Sequence, residues 1–90
     1  MNLLLVFTGE HCAGCKRLET NLLKREGKIG DCAIELIDAE NKTNQGLLNK
    51  YGISSLPTIV VLHDNKIMGS VVGYGRTTMS DIEALLPPRF

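Results

Sequence analysis

No apolar run in this chain approaches the roughly 20 residues needed to cross a bilayer. Charge of one sign is lacking too. Ten basic residues balance ten acidic ones, the formal net charge is zero, and neither sign forms a block. Avid binding to nucleic acid or to an anionic membrane through a polybasic face is therefore not expected. Cysteine is scarce: three residues are too few for a disulfide scaffold, and one close pair with a leftover, Cys32, fits a reducing compartment. The apolar start is shorter than a signal-peptide core and has no basic flank, so a cytoplasmic location is the expectation. Linkers, internal repeats and low-complexity tracts are missing. Ninety residues thus read as a single domain, 1–90, and as a monomer. A chain of this size buries only about 60–65% of its extended surface, so every element must share one core. The 43% hydrophobic content suffices for that.

Residues 3–7 (Leu-Leu-Leu-Val-Phe) form a continuous apolar run, the pattern of a strand covered on both faces. Cys15, Leu18 and Leu22 then recur at helical spacing, with Lys16, Arg17, Glu19 and Lys24 at the polar positions. This helix is expected to start at Cys12 and fade by Gly27, since Gly27 and Gly30 favour a turn. Cys32–Asp38 reads as a second strand. A short helix is expected over 43–51, closed by Gly52. Pro57 precedes a β-branched strand over 58–62, and Asp64-Asn65 turns the chain into an antiparallel partner, Lys66–Val72. Thr77 or Thr78 could cap a last helix carrying Met79, Ile82, Leu85 and Leu86, which Pro87-Pro88 stops. The order is β-α-β-α-β-β-α, an α/β arrangement whose first half can form a parallel unit.

The chemistry concentrates in Glu10-His11-Cys12-Ala13-Gly14-Cys15-Lys16, directly after the first strand. Two cysteines three positions apart at such a turn suit a dithiol that exchanges with disulfides. If the helix starts at Cys12, that thiol meets unpaired N–H groups at the positive helix end, which favours the thiolate. Cys15 lies one turn inward on the apolar stripe. Cys12 is then the nucleophile and Cys15 the resolving thiol. His11 and Lys16 could favour the thiolate or simply face water, and Glu10 would oppose it. Two other readings stand beside this one. The pair could be inert, or it could join Cys32 and His11 or His63 around zinc, although the spacing is not that of a zinc knuckle. Haem attachment fails, because Lys16 stands where the histidine belongs.

Three segments together resemble the thioredoxin superfamily, most closely a short thioredoxin or a glutaredoxin-sized relative. They are the first strand with Cys12-Ala13-Gly14-Cys15-Lys16, the stretch from Asp38 through Tyr51-Gly52-Ile53-Ser54-Ser55-Leu56-Pro57-Thr58, and Val72-Gly73. The resemblance implies a thioredoxin-like fold, a central mixed four-stranded sheet with helices on both faces. It implies that Pro57 is a cis-proline opposite the dithiol and that Leu56 offers its backbone to an extended substrate. Gly73 and Gly75 would let a partner backbone approach, and Tyr74 becomes a recognition candidate. No bound cofactor is implied beyond the redox-active Cys12-Cys15 pair, and no metal.

The implied activity is that of a thiol–disulfide oxidoreductase that reduces protein disulfides, with thioredoxin reductase or the glutathione system as electron donor. A glutathione-dependent glutaredoxin-like enzyme and a noncatalytic interaction module are the alternatives. Departures from the family pattern are specific. His11 occupies the position of a usual tryptophan, and the chain has no tryptophan at all. Ala13-Gly14 replaces Gly-Pro between the cysteines. No acid within residues 3–7 fills the place of the family's buried carboxylate. Cys32 reads as a half-buried structural thiol, Tyr51 as a groove or anchoring residue, and His63 as surface.

Overall fold

The computed structural model describes residues 1–24 and 32–86. The chain runs β1 (Asn2–Thr8), α1 (Ala13–Lys24), β2 (Cys32–Asp38), a 3₁₀ turn (Lys42–Asn44), α2 (Gln45–Tyr51), β3 (Thr58–His63), β4 (Lys66–Val72) and α3 (Thr78–Leu85). The strands form one sheet in the order β2-β1-β3-β4. β1 pairs parallel with β2 and antiparallel with β3, and β3 pairs antiparallel with β4. The sheet is therefore mixed, and the apolar run of β1 is central, as its lack of alternation predicts. No helix among the described residues is long and apolar enough to cross a membrane.

Alternation along the strands sends two apolar sets to opposite faces. Leu4, Val6, Ile59, Val61 and Val71 pack with Leu18 and Leu22 of α1 and Ile82 of α3. Leu5, Phe7, Ile37, Val60 and Leu62 form the other cluster, against Leu47, Leu48 and Tyr51 from α2 and Ile53 beyond it. Each fully buried aliphatic side chain contributes about 1.5–3 kcal/mol relative to exposure. Tyr51 anchors α2, its ring tilted 55° to that of Phe7 with centroids 6.1 Å apart. It belongs to this core, not to a groove beside the cysteines.

Some element ends differ from the sequence expectation. α1 begins at Ala13, leaving Cys12 just outside it, and the expected fading at Gly27 and Gly30 lies outside the described residues, as does Pro87-Pro88. The first part of the expected 43–51 helix is a 3₁₀ turn, because the Asn41 side chain accepts from the Thr43 N–H at 3.0 Å and tightens the entry. Thr77 occupies the N-cap of α3 but makes no capping bond. Its backbone is already helical (φ −98°, ψ 0°), and its hydroxyl donates instead to Asp81 Oδ2 at 3.0 Å. The Thr78 hydroxyl accepts from the Gly75 N–H at 2.8 Å, tying the β4–α3 loop to the helix. Cys32 is 4% exposed and fully part of the core, not half-buried.

His63 is held rather than loose at the surface. Its Nδ1 lies 2.7 Å from Asn2 Oδ1 and its Nε2 3.4 Å from Asp64 Oδ2. Asp64 and Asn65 form the two-residue hairpin loop, both left-handed (φ 48° and 67°), between the paired residues His63 and Lys66. The Met1 amino group donates a hydrogen bond to Asp64 Oδ1, and this bond, with the His63 charge, holds the Asp64 carboxyl below its ordinary 3.8. A depressed folded-state value stabilises the protein above the ordinary value, and that contribution disappears as pH falls through the folded one. Wild type is expected to exceed Asp64→Asn in stability at pH 6, by a small margin because the pair is exposed, and to lose that margin at pH 2. Urea unfolding at both pH values measures it. An unchanged difference at pH 2 counts against the ion-pair origin.

Candidate active site

β1 delivers the chain to the cysteines. Its last residue, Thr8, accepts from the Ala39 N–H at 2.9 Å, so the ends of β1 and β2 are clasped beside the turn that follows. Gly9 is needed here by close approach. A Cβ at this position would stand 2.9 Å from Leu56 Cδ1 and 3.3 Å from Glu40 Oε1. Leu56 therefore folds over the turn, remaining 36% exposed. The Cys12 N–H reaches the Gly9 carbonyl at 3.4 Å, and the Cys15 N–H reaches the Cys12 carbonyl at 3.2 Å, winding the chain into α1.

Cys12 and Cys15 form a disulfide with Cα atoms 5.3 Å apart. Their surroundings are unequal. Cys12 is half-buried at the mouth of α1, whereas Cys15 is 2% exposed. The reason lies in the helix: position 15 shares the inward stripe with the fully buried Leu18 and Leu22, and position 12 precedes the first turn. Glu10, His11 and Lys16 are exposed around this rim.

Distant segments complete the site. The Leu56–Pro57 peptide bond is cis, and Pro57 is buried at the start of β3. The Thr58 hydroxyl donates to the Ser55 carbonyl at 2.6 Å, and the Gly73 N–H donates to the Pro57 carbonyl at 2.8 Å. The latter bond carries the β3–β4 pairing one step past Thr58–Val72. It uses a left-handed Gly73 (φ 82°) to turn the chain toward Tyr74. A Cβ on Gly14 would lie 3.5 Å from Tyr74 Cβ and 3.9 Å from Pro57 Cδ. The inter-cysteine turn, Pro57 and Tyr74 are thus in one place, with Leu56 on the Gly9 side and Gly73 behind Pro57.

Tyr74 is half-buried, and its hydroxyl accepts a hydrogen bond from Asn21 Nδ2 on α1. Sequence reading did not find Asn21, whose position on α1 carries no motif, nor the lid-like contact of Leu56 and Glu40 over Gly9. Glycine immediately after a strand was the available signal for the second. The buried polar residues described are Thr8, Thr58 and Thr78, so among the described residues no buried carboxylate accompanies the disulfide.

A zinc reading does not fit this arrangement. Cys32 and His63 both register against Asn2, at the far end of β1 and about 20 Å from Thr8 by strand rise. Among the described residues no group of three His, Cys, Asp or Glu side chains could hold a metal ion. What remains is a disulfide that can accept two electrons to become a dithiol, one sulfur reachable and the other shielded.

Comparison with known proteins meets this geometry from another side. A family profile described as Thioredoxin matches residues 1–86. The chain is 29% identical to thioredoxin of Bacillus subtilis over 68 residues, covering 76% of this chain and 64% of that protein. It is 30% identical to thioredoxin of Chlamydia caviae over 70 residues, covering 78% and 67%. The match thus spans less than two thirds of the length of the Bacillus relative. Among solved structures, the germline-specific thioredoxin Deadhead of Drosophila melanogaster superposes with a TM-score of 0.81 at 24% identity, covering 96% of this chain and 81% of that one, a likeness of fold.

Proposed function

The chain belongs to the thioredoxin family, and from that premise we propose that it reduces protein disulfides through its Cys12–Cys15 pair. The observation that carries this reading is the unequal disulfide: a reachable Cys12 at the mouth of α1 and a shielded Cys15 one turn inside.

Cys12 stands immediately before the positive end of a 12-residue helix, a position that favours the thiolate once the pair is reduced. The thiolate attacks one sulfur of a substrate disulfide. A mixed disulfide forms, and the other substrate sulfur leaves as a thiolate that takes a proton from solvent. Cys15 then loses its proton and attacks the Cys12 sulfur. The Cys12–Cys15 bond returns, the second substrate thiol is released, and two electrons have moved to the substrate.

The surrounding residues have supporting roles in this reading. Leu56, partly exposed ahead of Pro57, presents its backbone to an extended substrate segment. The Pro57 carbonyl is already taken by Gly73, which leaves the preceding residue as the point of attachment. Tyr74 walls the groove, and Lys16 and His11 modulate the Cys12 thiolate from the exposed rim. The low cysteine count and zero net charge support a reducing, cytoplasmic setting, residues 1–90 acting as one domain and monomer, with no nucleic-acid or membrane partner.

Recycling tests the reading and names the donor. The protein is incubated with a disulfide-bonded protein substrate and either thioredoxin reductase with NADPH or glutathione with its own reductase. Turnover coupled to thioredoxin reductase is the expected result. Turnover with glutathione alone moves the protein to the glutaredoxin-like alternative. No turnover from either donor, with the dithiol folded and reducible, leaves a binding module.

A further inference from the structure

A groove of about 320 Å³ lies beside α1, beginning one residue past Cys15, lined by Lys16, Arg17, Thr20, Asn21 and Tyr74. Its lining contains two cations and no acid. Lys16 forms its rim with a second depression, lined otherwise by Thr8, Gly9, Glu10, Glu19 and Asp38. That flank carries three carboxylates. A protein with zero formal net charge thus presents a polarised face beside its disulfide, basic toward Tyr74 and acidic toward Gly9.

The basic groove has a firm wall. The Asn21 side chain donates to the Tyr74 hydroxyl across the gap between α1 and the β4–α3 loop. The Thr20 hydroxyl is turned back onto the Lys16 carbonyl at 2.9 Å. The charged groups that line the groove are the ammonium of Lys16 and the guanidinium of Arg17, and the Tyr74 hydroxyl, which accepts from Asn21, keeps its own O–H to donate. Arg17 can hold a carboxylate through two parallel N–H bonds.

We propose that this groove is a specificity site for an acidic residue of the disulfide-bearing protein substrate. The proposal rests on the oxidoreductase reading above and deepens it. The middle of the groove, between Lys16 and Asn21, is six to seven helical residues beyond Cys12. At 1.5 Å per residue this is about 10 Å, or about three residues of extended peptide. A substrate whose reacting cysteine lies three residues from an Asp or Glu places that carboxylate within the groove, where the long side chains of Lys16 and Arg17 can reach it. The same acid directed to the other flank meets Glu10, Glu19 and Asp38. The charge pattern therefore selects partners and sets the direction in which the substrate segment lies across Cys12.

Single-turnover kinetics with the pre-reduced protein test this without any recycling enzyme. Three peptides are compared, each with its cysteine in a mixed disulfide with a neutral thiol and with Asp, Asn or Lys three residues away, on both sides in turn. The Asp peptide is expected to react about three- to tenfold faster than the Lys peptide at low ionic strength, on one side only. The ratio is expected to approach one at about 0.5 M salt. Arg17→Glu, at an exposed helical position, is expected to invert the Asp-to-Lys ratio. Because a ratio is read, any general change in Cys12 reactivity cancels. Equal rates for all three peptides, or a ratio unaltered in Arg17→Glu, overturn the specificity site while the Asn peptide still reports disulfide exchange. Failure to reduce any peptide overturns the exchange reading, and the site with it.

Discussion

Cys15→Ser, once reduced and offered a disulfide substrate, is expected to accumulate as a covalent adduct through Cys12. The substrate disulfide can still be attacked, since Cys12 keeps its partial exposure at the mouth of α1. Release fails because serine provides no thiolate at the buried position that faces the mixed disulfide. Cys12→Ser is expected to show the opposite behaviour: no adduct, and turnover lower by roughly a thousandfold or more, the scale on which loss of a covalent nucleophile acts. Cys15 cannot substitute, being 2% exposed. Intact-mass measurement under non-reducing conditions separates the two variants directly. An adduct on Cys12→Ser but not on Cys15→Ser would reverse the assignment of roles, and wild-type turnover in Cys12→Ser would sink it.

Phe7→Ala is expected to cost about 3–5 kcal/mol, the largest single loss in the core. Phe7 is fully buried near the end of β1 and touches the Tyr51 ring, so its removal leaves a cavity between the sheet and α2. A 90-residue domain has roughly 5–13 kcal/mol in total, and a loss of this size lowers Tm by about 12 °C or more. Thermal unfolding of the oxidised protein measures it. A shift of only a few degrees would mean that α2 collapses into the gap, and that Tyr51 is less an anchor than the packing indicates.

Much of the framework was legible because it depends on local chemistry. The β1 run lacks alternation because the strand is central, and Asp64-Asn65 suits the two left-handed positions that a two-residue hairpin requires. The unequal cysteines follow from helical spacing alone. Pro57 was legible only through resemblance, since a proline before a strand has simpler explanations. The Asn21–Tyr74 bond was not legible: it joins a helix face to a loop 53 positions away, and no periodicity encodes such a meeting. Nor was the cap of α3, where a hydroxyl at either Thr77 or Thr78 satisfies the pattern, yet Thr77 at the N-cap makes no capping bond and the Thr78 hydroxyl is turned to the Gly75 N–H. Cys32 lies deeper than its sequence context indicates, because an isolated cysteine in a strand does not reveal which face it takes.

The three parts of the site come from the start, middle and end of the chain, and they meet because Phe7 pairs with Thr58 and Thr58 with Val72. Those pairings bridge most of the sequence, so the groove closes only when the long-range contacts form. The proposed exchange site is accordingly complete only in the assembled sheet. The cysteine turn and α1 alone would offer an accessible thiol without the neighbouring Pro57 and Tyr74. During synthesis, a chain that has emerged only as far as β2 holds both cysteines of the pair but neither Pro57 nor Tyr74.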